Sequence, residues 1–217
     1  MKAIGMMLVL TAAAFGQEPD RLTIPFSDAS RPKTLRVDML NGSISVKGYE
    51  GKDVIVEARP RGARNAEPEM NRGLRRIPIH GTGLEAEEQD NVVRVRAASH
   101  GRNIDVVVQV PMLASLKLRT VNGGKLEVDR VDGDIEVSNT NGSVVLTNVS
   151  GSVVAHSLNG RVNVTFDKVR PNKPMSFSTL NGDIDVAFPA DIKANVKVKS
   201  DNGDVFSDFE VKLEPRA

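Results

Sequence analysis

The sequence predicts an all-β fold, a single-domain parallel β-solenoid with rungs of roughly 18–22 residues, and three observations carry that reading. Asn-Gly occurs six times, at Asn41-Gly42, Asn122-Gly123, Asn141-Gly142, Asn159-Gly160, Asn181-Gly182 and Asn202-Gly203. Most of these open one phrase: an apolar or Thr residue, Asn, Gly, a polar residue, Val or Ile, any residue, then Val or Leu. Apolar residues elsewhere alternate with a period of two, and beyond the first sixteen residues no stretch sustains the three-and-four spacing of a helix.

Asn and Gly both tolerate positive φ, so the dipeptide also favours two-residue hairpins and an antiparallel meander. Sameness separates the two architectures. Successive hairpin turns lie at opposite ends of a sheet among different neighbours. Equivalent turns of a coil instead stack about 4.8 Å apart, and a column of Asn side chains there can hydrogen-bond from rung to rung. The turn glycines at 123, 133, 142, 151 and 160 fall nine or ten residues apart, so the full phrase returns at every second turn. Beyond them the interval widens to 22 and 21, at Gly182 and Gly203, with Pro171 to Pro174 and Pro189 to Ile192 supplying the intervening turns.

Taken in order, residues 1–16 read as a secretory signal: Lys2 is the positive start, Ile4 to Phe15 the apolar stretch, and Ala14-Phe15-Gly16 the small-x-small cleavage site. That stretch is too short to span a bilayer. Residues 17–34 hold Pro19, Pro25 and Pro32 and suit an irregular approach to the first strand. The solenoid is expected over 35–217. Leu35, Val37 and Met39, then Ile44 and Val46, then Val54 and Val56 alternate between turns. Over about 59–89 the pattern breaks around Pro60, Pro68 and Pro78, which predicts a loop excursion or an irregular strand pair beside the coil. Alternation resumes at Val92 and continues through Ile104 to Val110, Leu116 and Leu118, Leu126 and Val128, Ile135 and Val137, Val144 and Leu146, and Val153 and Ala155.

Composition narrows the function. Without Lys2 the chain carries 28 basic and 28 acidic side chains, and a neutral chain lacks the long-range pull toward nucleic acid or anionic lipid. Cysteine is absent, which excludes a disulfide framework, a thiol nucleophile and a thiolate metal site. Seven Phe, one Tyr and no Trp suit a thin aliphatic core and leave few platforms for stacking on sugars or bases.

The run Asn41-Gly42-Ser43-Ile44-Ser45-Val46-Lys47-Gly48-Tyr49-Glu50-Gly51-Lys52-Asp53-Val54, the later Val106-Val107-Val108-Gln109-Val110-Pro111, and Leu116 and Leu118 leading through Thr120 to Asn122-Gly123 together resemble the bacterial putative-adhesin domains built of β-strand repeats, akin to the head-GIN adhesin domain. The resemblance covers about residue 35 to the end. It implies a β-solenoid in an exported or envelope-facing setting, with no catalytic residues to carry over. The Arg-rich segment between Arg59 and Arg76 departs from the regular pattern of that family.

No catalytic residue, cofactor or metal site is expected. Asp132 with Asp134, Asp183 with Asp185, and Asp201 with Asp204 are close carboxylate pairs of the kind that glycoside hydrolysis or calcium binding uses. Each borders a glycine turn, where Asp is favoured for bonding its own backbone. His156 alternates with Val153 and Ala155 and reads as an outward, solvated residue. No Gly-x-Ser-x-Gly elbow occurs, and the Gly-x-Gly at Gly81 to Gly83 lacks a following helix. The one charge cluster is Arg59, Arg61, Arg64, Arg72, Arg75 and Arg76, a candidate grip for an acidic polysaccharide, lipid phosphates or an acidic protein.

These readings converge on a non-enzymatic exported cell-envelope protein, periplasmic or extracellular, that uses the solenoid surface for binding or assembly. Its expected partners are an envelope protein or a polysaccharide. It would be monomeric or assemble through the solenoid ends, with no transmembrane anchor and no nucleic acid. The alternative is a carbohydrate-active β-helix enzyme, a lyase or hydrolase, on acidic polysaccharide.

Overall fold

A computed structural model describes residues 20–61, 84–97 and 103–210. Within them the alternating segments form fourteen strands and no helix. The strands are β1 (Asp20–Ile24), β2 (Thr34–Asn41), β3 (Ile44–Tyr49), β4 (Val54–Pro60), β5 (Leu84–Gln89), β6 (Val92–Ala97), β7 (Ile104–Pro111), β8 (Ser115–Asn122), β9 (Gly124–Asp129), β10 (Ile135–Gly151), β11 (Val153–Asn159), β12 (Val162–Val169), β13 (Ser176–Asn181) and β14 (Ile184–Ala187).

Two stacks result, joined through β10, which bends at Asn141-Gly142 and contributes one half to each. One stack runs β5, β6, β2, β8, the first half of β10, β11, β13. The other runs β1, β4, β7, β3, β9, the second half of β10, β12, β14. From β6 and β7 onward all pairs are parallel, so the chain crosses one stack, turns a corner, crosses the other and returns one step further on.

Three expectations need correction. The approach segment 17–34 is not wholly irregular, because Asp20–Ile24 forms β1 against β4. The sheet is mixed rather than purely parallel, because β1, β4 and β5 pair antiparallel at one end. Chain order is also not spatial order. The strands β2 and β3 sit inside the stacks, covered on the outer side by β6 and β7 and on the inner side by β8 and β9. The physical reason lies at residues 50–60 and 84–91. After β3 the chain reverses into β4, leaving a gap of one strand that β7 later fills. The strands β5 and β6 form a true hairpin through Asp90 and Asn91, both at positive φ (54° and 62°), as a two-residue I′-type loop requires. The ends of the expected 59–89 excursion are thus held in β4 and β5; residues 62–83 lie outside the described part, as do residues 1–16.

The Asn-Gly corners carry the stacking. Asn122 Nδ2 donates to Asn41 Oδ1 (3.2 Å), Asn141 to Asn122 (2.9 Å), Asn159 to Asn141 (2.9 Å) and Asn181 to Asn159 (2.8 Å). A second column lies two residues earlier and inside. Thr120 Oγ1 donates to the Gly42 carbonyl, Asn139 Nδ2 to Gly124, Ser157 Oγ to Gly142 and Thr179 Oγ1 to Gly160. These buried groups satisfy corner carbonyls that the sheet ladders cannot reach. Glycine is required there by contact as well as by φ. A Cβ on Gly142, at φ 144°, would stand 1.6 Å from the Gly124 carbonyl oxygen, and one on Gly160 would stand 2.2 Å from that of Gly142.

Between the stacks lies one aliphatic core, built in rows. Ala58, Val106, Ile44, Leu126, Val144 and Val162 form one row, and Val56, Val108, Val46, Val128, Leu146 and Val164 the next, all buried. At the far end the rows open: Ile184 is 45% exposed, and Phe177 and Phe188, which cover the buried Phe166, are themselves only half-buried, with the Phe166 and Phe188 rings stacked at 5.1 Å. The opposite end is closed. There Asn91 pins the approach to β2 through Asp28 (Asp28 N to Asn91 Oδ1, 2.8 Å; Asn91 Nδ2 to Asp28 O, 2.6 Å), and Glu88 accepts from Ser27 and from Asn91 N.

Three outcomes are expected. Ile135→Ala or Val164→Ala opens a cavity in a narrow core and should cost roughly 1–5 kcal/mol in denaturant unfolding, whereas the outward Thr165→Ala should stay within about 0.5 kcal/mol; equal effects would break the inward and outward assignment. Gly142→Ala should cost at least about 1–3 kcal/mol from backbone strain alone, measured the same way. Finally, the Ser27 hydroxyl holds the Glu88 carboxyl below its ordinary value of 4.5, and the Ser30 hydroxyl and amide hold Asp28 below 3.8. Lowered values mean that this clamp is intact above those pH values and is lost as pH falls through the depressed ones. The protection factor of the Asn91 amide, its exchange rate corrected for the intrinsic pH dependence, should therefore fall in acid, below pH 4.5, before those of the core amides.

Candidate binding surface

The residues that a catalytic reading would use are held apart by local partners. Asp132 pairs with Arg170 (2.6 Å) and Asp134 with Lys173 (2.6 Å), so the turn before β10 is tied to the loop before β13. Asp183 pairs with Arg161 (3.0 Å) and Asp201 with Lys199 (3.1 Å). His156 stands exposed on β11 with Nδ1 2.9 Å from Ser178 Oγ on β13. Among the described residues no cluster of His, Asp and Glu could hold a metal ion. The recess lined by Phe26, Ala29, Lys33, Lys52 and Asp53 holds about 280 Å³, at the small end for a ligand pocket.

Of the six arginines read as a cluster, two are described. Arg59 ends β4 beside Glu57 (3.3 Å), and Arg61 reaches Asp105 (3.2 Å) and Ser43 Oγ (3.2 Å). Both charges are thus met by acids of the same stack. Arg64, Arg72, Arg75 and Arg76 lie outside the described residues.

The outer face of the β5-to-β13 stack assembles groups that are far apart in sequence. Parallel register turns each phrase position into a row across neighbouring strands, one residue per strand at about 4.8 Å. Five residues before each corner Asn, the row reads Arg36, Lys117, Glu136, Val154 and Ser176, and Arg94 of β6 joins it beside Arg36. Three before, it reads Asp38, Arg119, Ser138, His156 and Ser178, with Arg96 beside Asp38. One before, it reads Leu40, Val121, Thr140, Leu158 and Leu180, an apolar row lying against the Asn ladder, with Leu180 70% exposed. Arg36 is steadied by Asp38 (2.8 Å) and Lys117 by Glu136 (3.2 Å), while Glu85 and Glu87 of β5 lie opposite Arg96 and Arg94.

Alternation marks Glu136, Ser138, Val154 and His156 as outward, but the phrase followed only forward from Asn-Gly does not align them with Arg36, Asp38, Lys117 and Arg119. The signal was available, since aligning the residues upstream of each Asn lines up the outward positions. Arg94 and Arg96 had no such signal, because β6 carries no Asn-Gly and its neighbour β2 is fifty residues earlier in the chain. Chemically, the face offers guanidinium and ammonium groups for carboxylates or sulfates, and amides and hydroxyls for sugar hydroxyls.

No helix among the described residues is long and apolar enough to cross a membrane. Comparison with curated proteins finds none that matches. Two solved structures show a low-level similarity to the chain. One is described as a "putative cell adhesion protein" from Clostridium sporogenes ATCC 15579, at 10% identity and a TM-score of 0.42, covering 78% of this chain and 99% of that one. The other is described as a "putative adhesin" from Bacteroides fragilis NCTC 9343, at 10% identity and a TM-score of 0.33, covering 79% of this chain and 98% of that one. At this level of likeness neither bears on what the chain does. The family model described as Toastrack DUF4097 matches residues 21–216, nearly the whole chain, and the protein belongs to that family.

Proposed function

We propose that the chain is an exported cell-envelope protein, periplasmic or extracellular, in which a β-solenoid holds out a flat, ordered face for binding, without catalysis. The observation that carries this reading is the row structure of the β5-to-β13 face. A row that begins Arg94, Arg36 and Lys117, a mixed row, a largely apolar row and an amide ladder run side by side across successive strands. Such a surface matches an extended polymer better than a compact substrate, because the rows continue from strand to strand and the Asn amide recurs at each corner. The partner class that fits is an acidic polysaccharide: its carboxylates meet Arg119 and Arg94, and compete with Asp38 and Glu136 for Arg36 and Lys117, while its hydroxyls meet the Asn amides. Acid–base catalysis finds little support, since Asp132, Asp134, Asp183 and Asp201 each face a cation and border turns rather than a groove.

The chain from Gln17 onward, immobilised and exposed to a panel of acidic polysaccharides with and without calcium, should retain at least one polymer uncleaved. Retention should weaken as salt is raised, because surface charge is screened over about 8 Å at physiological ionic strength. Arg119→Glu should reduce it with thermal stability unchanged. Depolymerisation of any panel member overturns the non-enzymatic reading, and full retention by Arg119→Glu removes this face from it.

A further inference from the structure

The two ends of the stacks differ. One is closed by antiparallel strands, with β1 outermost on one stack and β5, rich in Glu, on the other. The glutamates of β5 make that edge resist further pairing. The other end stops at β13 and β14, whose outer edges pair with no described strand and whose inward Ile184 is 45% exposed. The chain continues for 23 residues past Ala187 to Glu210 without another strand, and there Val196, Val198 and Val205 are 73%, 60% and 62% exposed.

Those residues repeat the phrase that built β13 and β14, at a spacing of 21. Val198 corresponds to Phe177, Ser200 to Thr179, Asn202-Gly203 to Asn181-Gly182, Val205 to Ile184 and Phe209 to Phe188. Ser200 stands two residues before the Asn, where every inner rung from β8 onward carries the side chain that donates to the corner carbonyl one rung earlier. Here its hydroxyl bonds instead to Gly203 of its own turn (3.3 Å). Gly203 already has φ 124°, between the 112° of Gly42 and the 144° of Gly142. Phe209 would extend the Phe166–Phe188 stack by one ring. The connection suffices as well: Val169 reaches Ser176 across six residues, and Ala187 has eight before Val196. The family match continues to residue 216, so the segment belongs to the domain.

We propose that the β13–β14 edge is a strand-acceptor site whose occupant is this chain's own Val196–Phe209, docking in parallel as a final rung. Docking transfers the Ser200 hydroxyl from Gly203 to the Gly182 carbonyl and adds Asn202 to Asn181 as the next step of the ladder. It also covers Ile184 with Val205. The undocked state leaves a ready template for pairing, so this segment governs whether the end is sealed or open.

Because the chain has no cysteine, disulfide trapping tests this directly. The docked register sets Ser178 beside Lys199 on the outer face, at a strand spacing compatible with a disulfide. The double variant Ser178→Cys/Lys199→Cys, oxidised at low protein concentration, should form an intramolecular crosslink, read as faster migration without reductant. Ser178→Cys/Val198→Cys, displaced to the opposite face, should remain as free thiols, and adding Asn202→Ala to the first pair should reduce the crosslinked fraction. Both cysteines replace exposed residues, so folding, checked by circular dichroism, should be retained. Interchain dimers as the main product would show that a second copy occupies the edge, and equal crosslinking of both pairs, or none of either, would show that the segment does not dock in this register; each result overturns the proposal.

Discussion

The fold depends on how closely one corner can be laid on the next. At each Asn-Gly the backbone turns out of one stack into the other, and its carbonyl loses the partner that a straight ladder would provide. The next rung supplies that partner from Thr120, Asn139, Ser157 or Thr179, and an asparagine bonds across on the outer side. Both contacts require backbones near van der Waals distance, and that excludes a Cβ at Gly142 or Gly160. The column is not perfectly matched. Asn139 supplies an amide where its counterparts supply hydroxyls, and its buried Oδ1 has no hydrogen-bond partner among the described residues.

Given that contact, the core needs little specificity. Rows of Val, Ile and Leu in register fill the space between the stacks, and branched aliphatics suit a thin interior where an aromatic ring would force the sheets apart. The aromatic residues collect where the rows open, at Phe166, Phe177 and Phe188. Ending the stack is the harder problem, since a coil of parallel strands always leaves an edge. One end meets it by reversing strand direction and placing Glu85, Glu87 and Glu88 on the last strand. The other offers β13 and β14.

Much of this architecture was legible before any coordinates. Five of the six Asn-Gly phrases, all but Asn202-Gly203, marked corners between strands, and the period of two marked which residues face inward: Ile135, Val137, Val144, Leu146, Val162 and Val164 are buried, and Glu136, Val154, His156, Asn163 and Thr165 are exposed. The antiparallel end was not legible. Val54 and Val56 alternate like any other strand, and alternation carries no direction, so nothing local distinguishes β4 from a member of the coil. The candidate site was legible in smaller part. The arginines that stood out lie within one short stretch of sequence, yet Arg59 and Arg61 are met by Glu57 and Asp105. The cations that share a face, Arg94, Arg36 and Lys117, come from three separate strands.

By itself, the sequence determined which residues turn, which face inward and how often the pattern returns, because each of these follows from local geometry: a φ that Gly tolerates, a two-residue pleat, a corner without room for a side chain. Only the tertiary structure decided which strands become neighbours. That choice rests on the gap left between β3 and β4 and on the hairpin at Asp90-Asn91, which carry β6 and β7 back across the outside of β2 and β3. The composition of the outer face follows from that packing, since a row across a sheet is a property of register and not of any one segment.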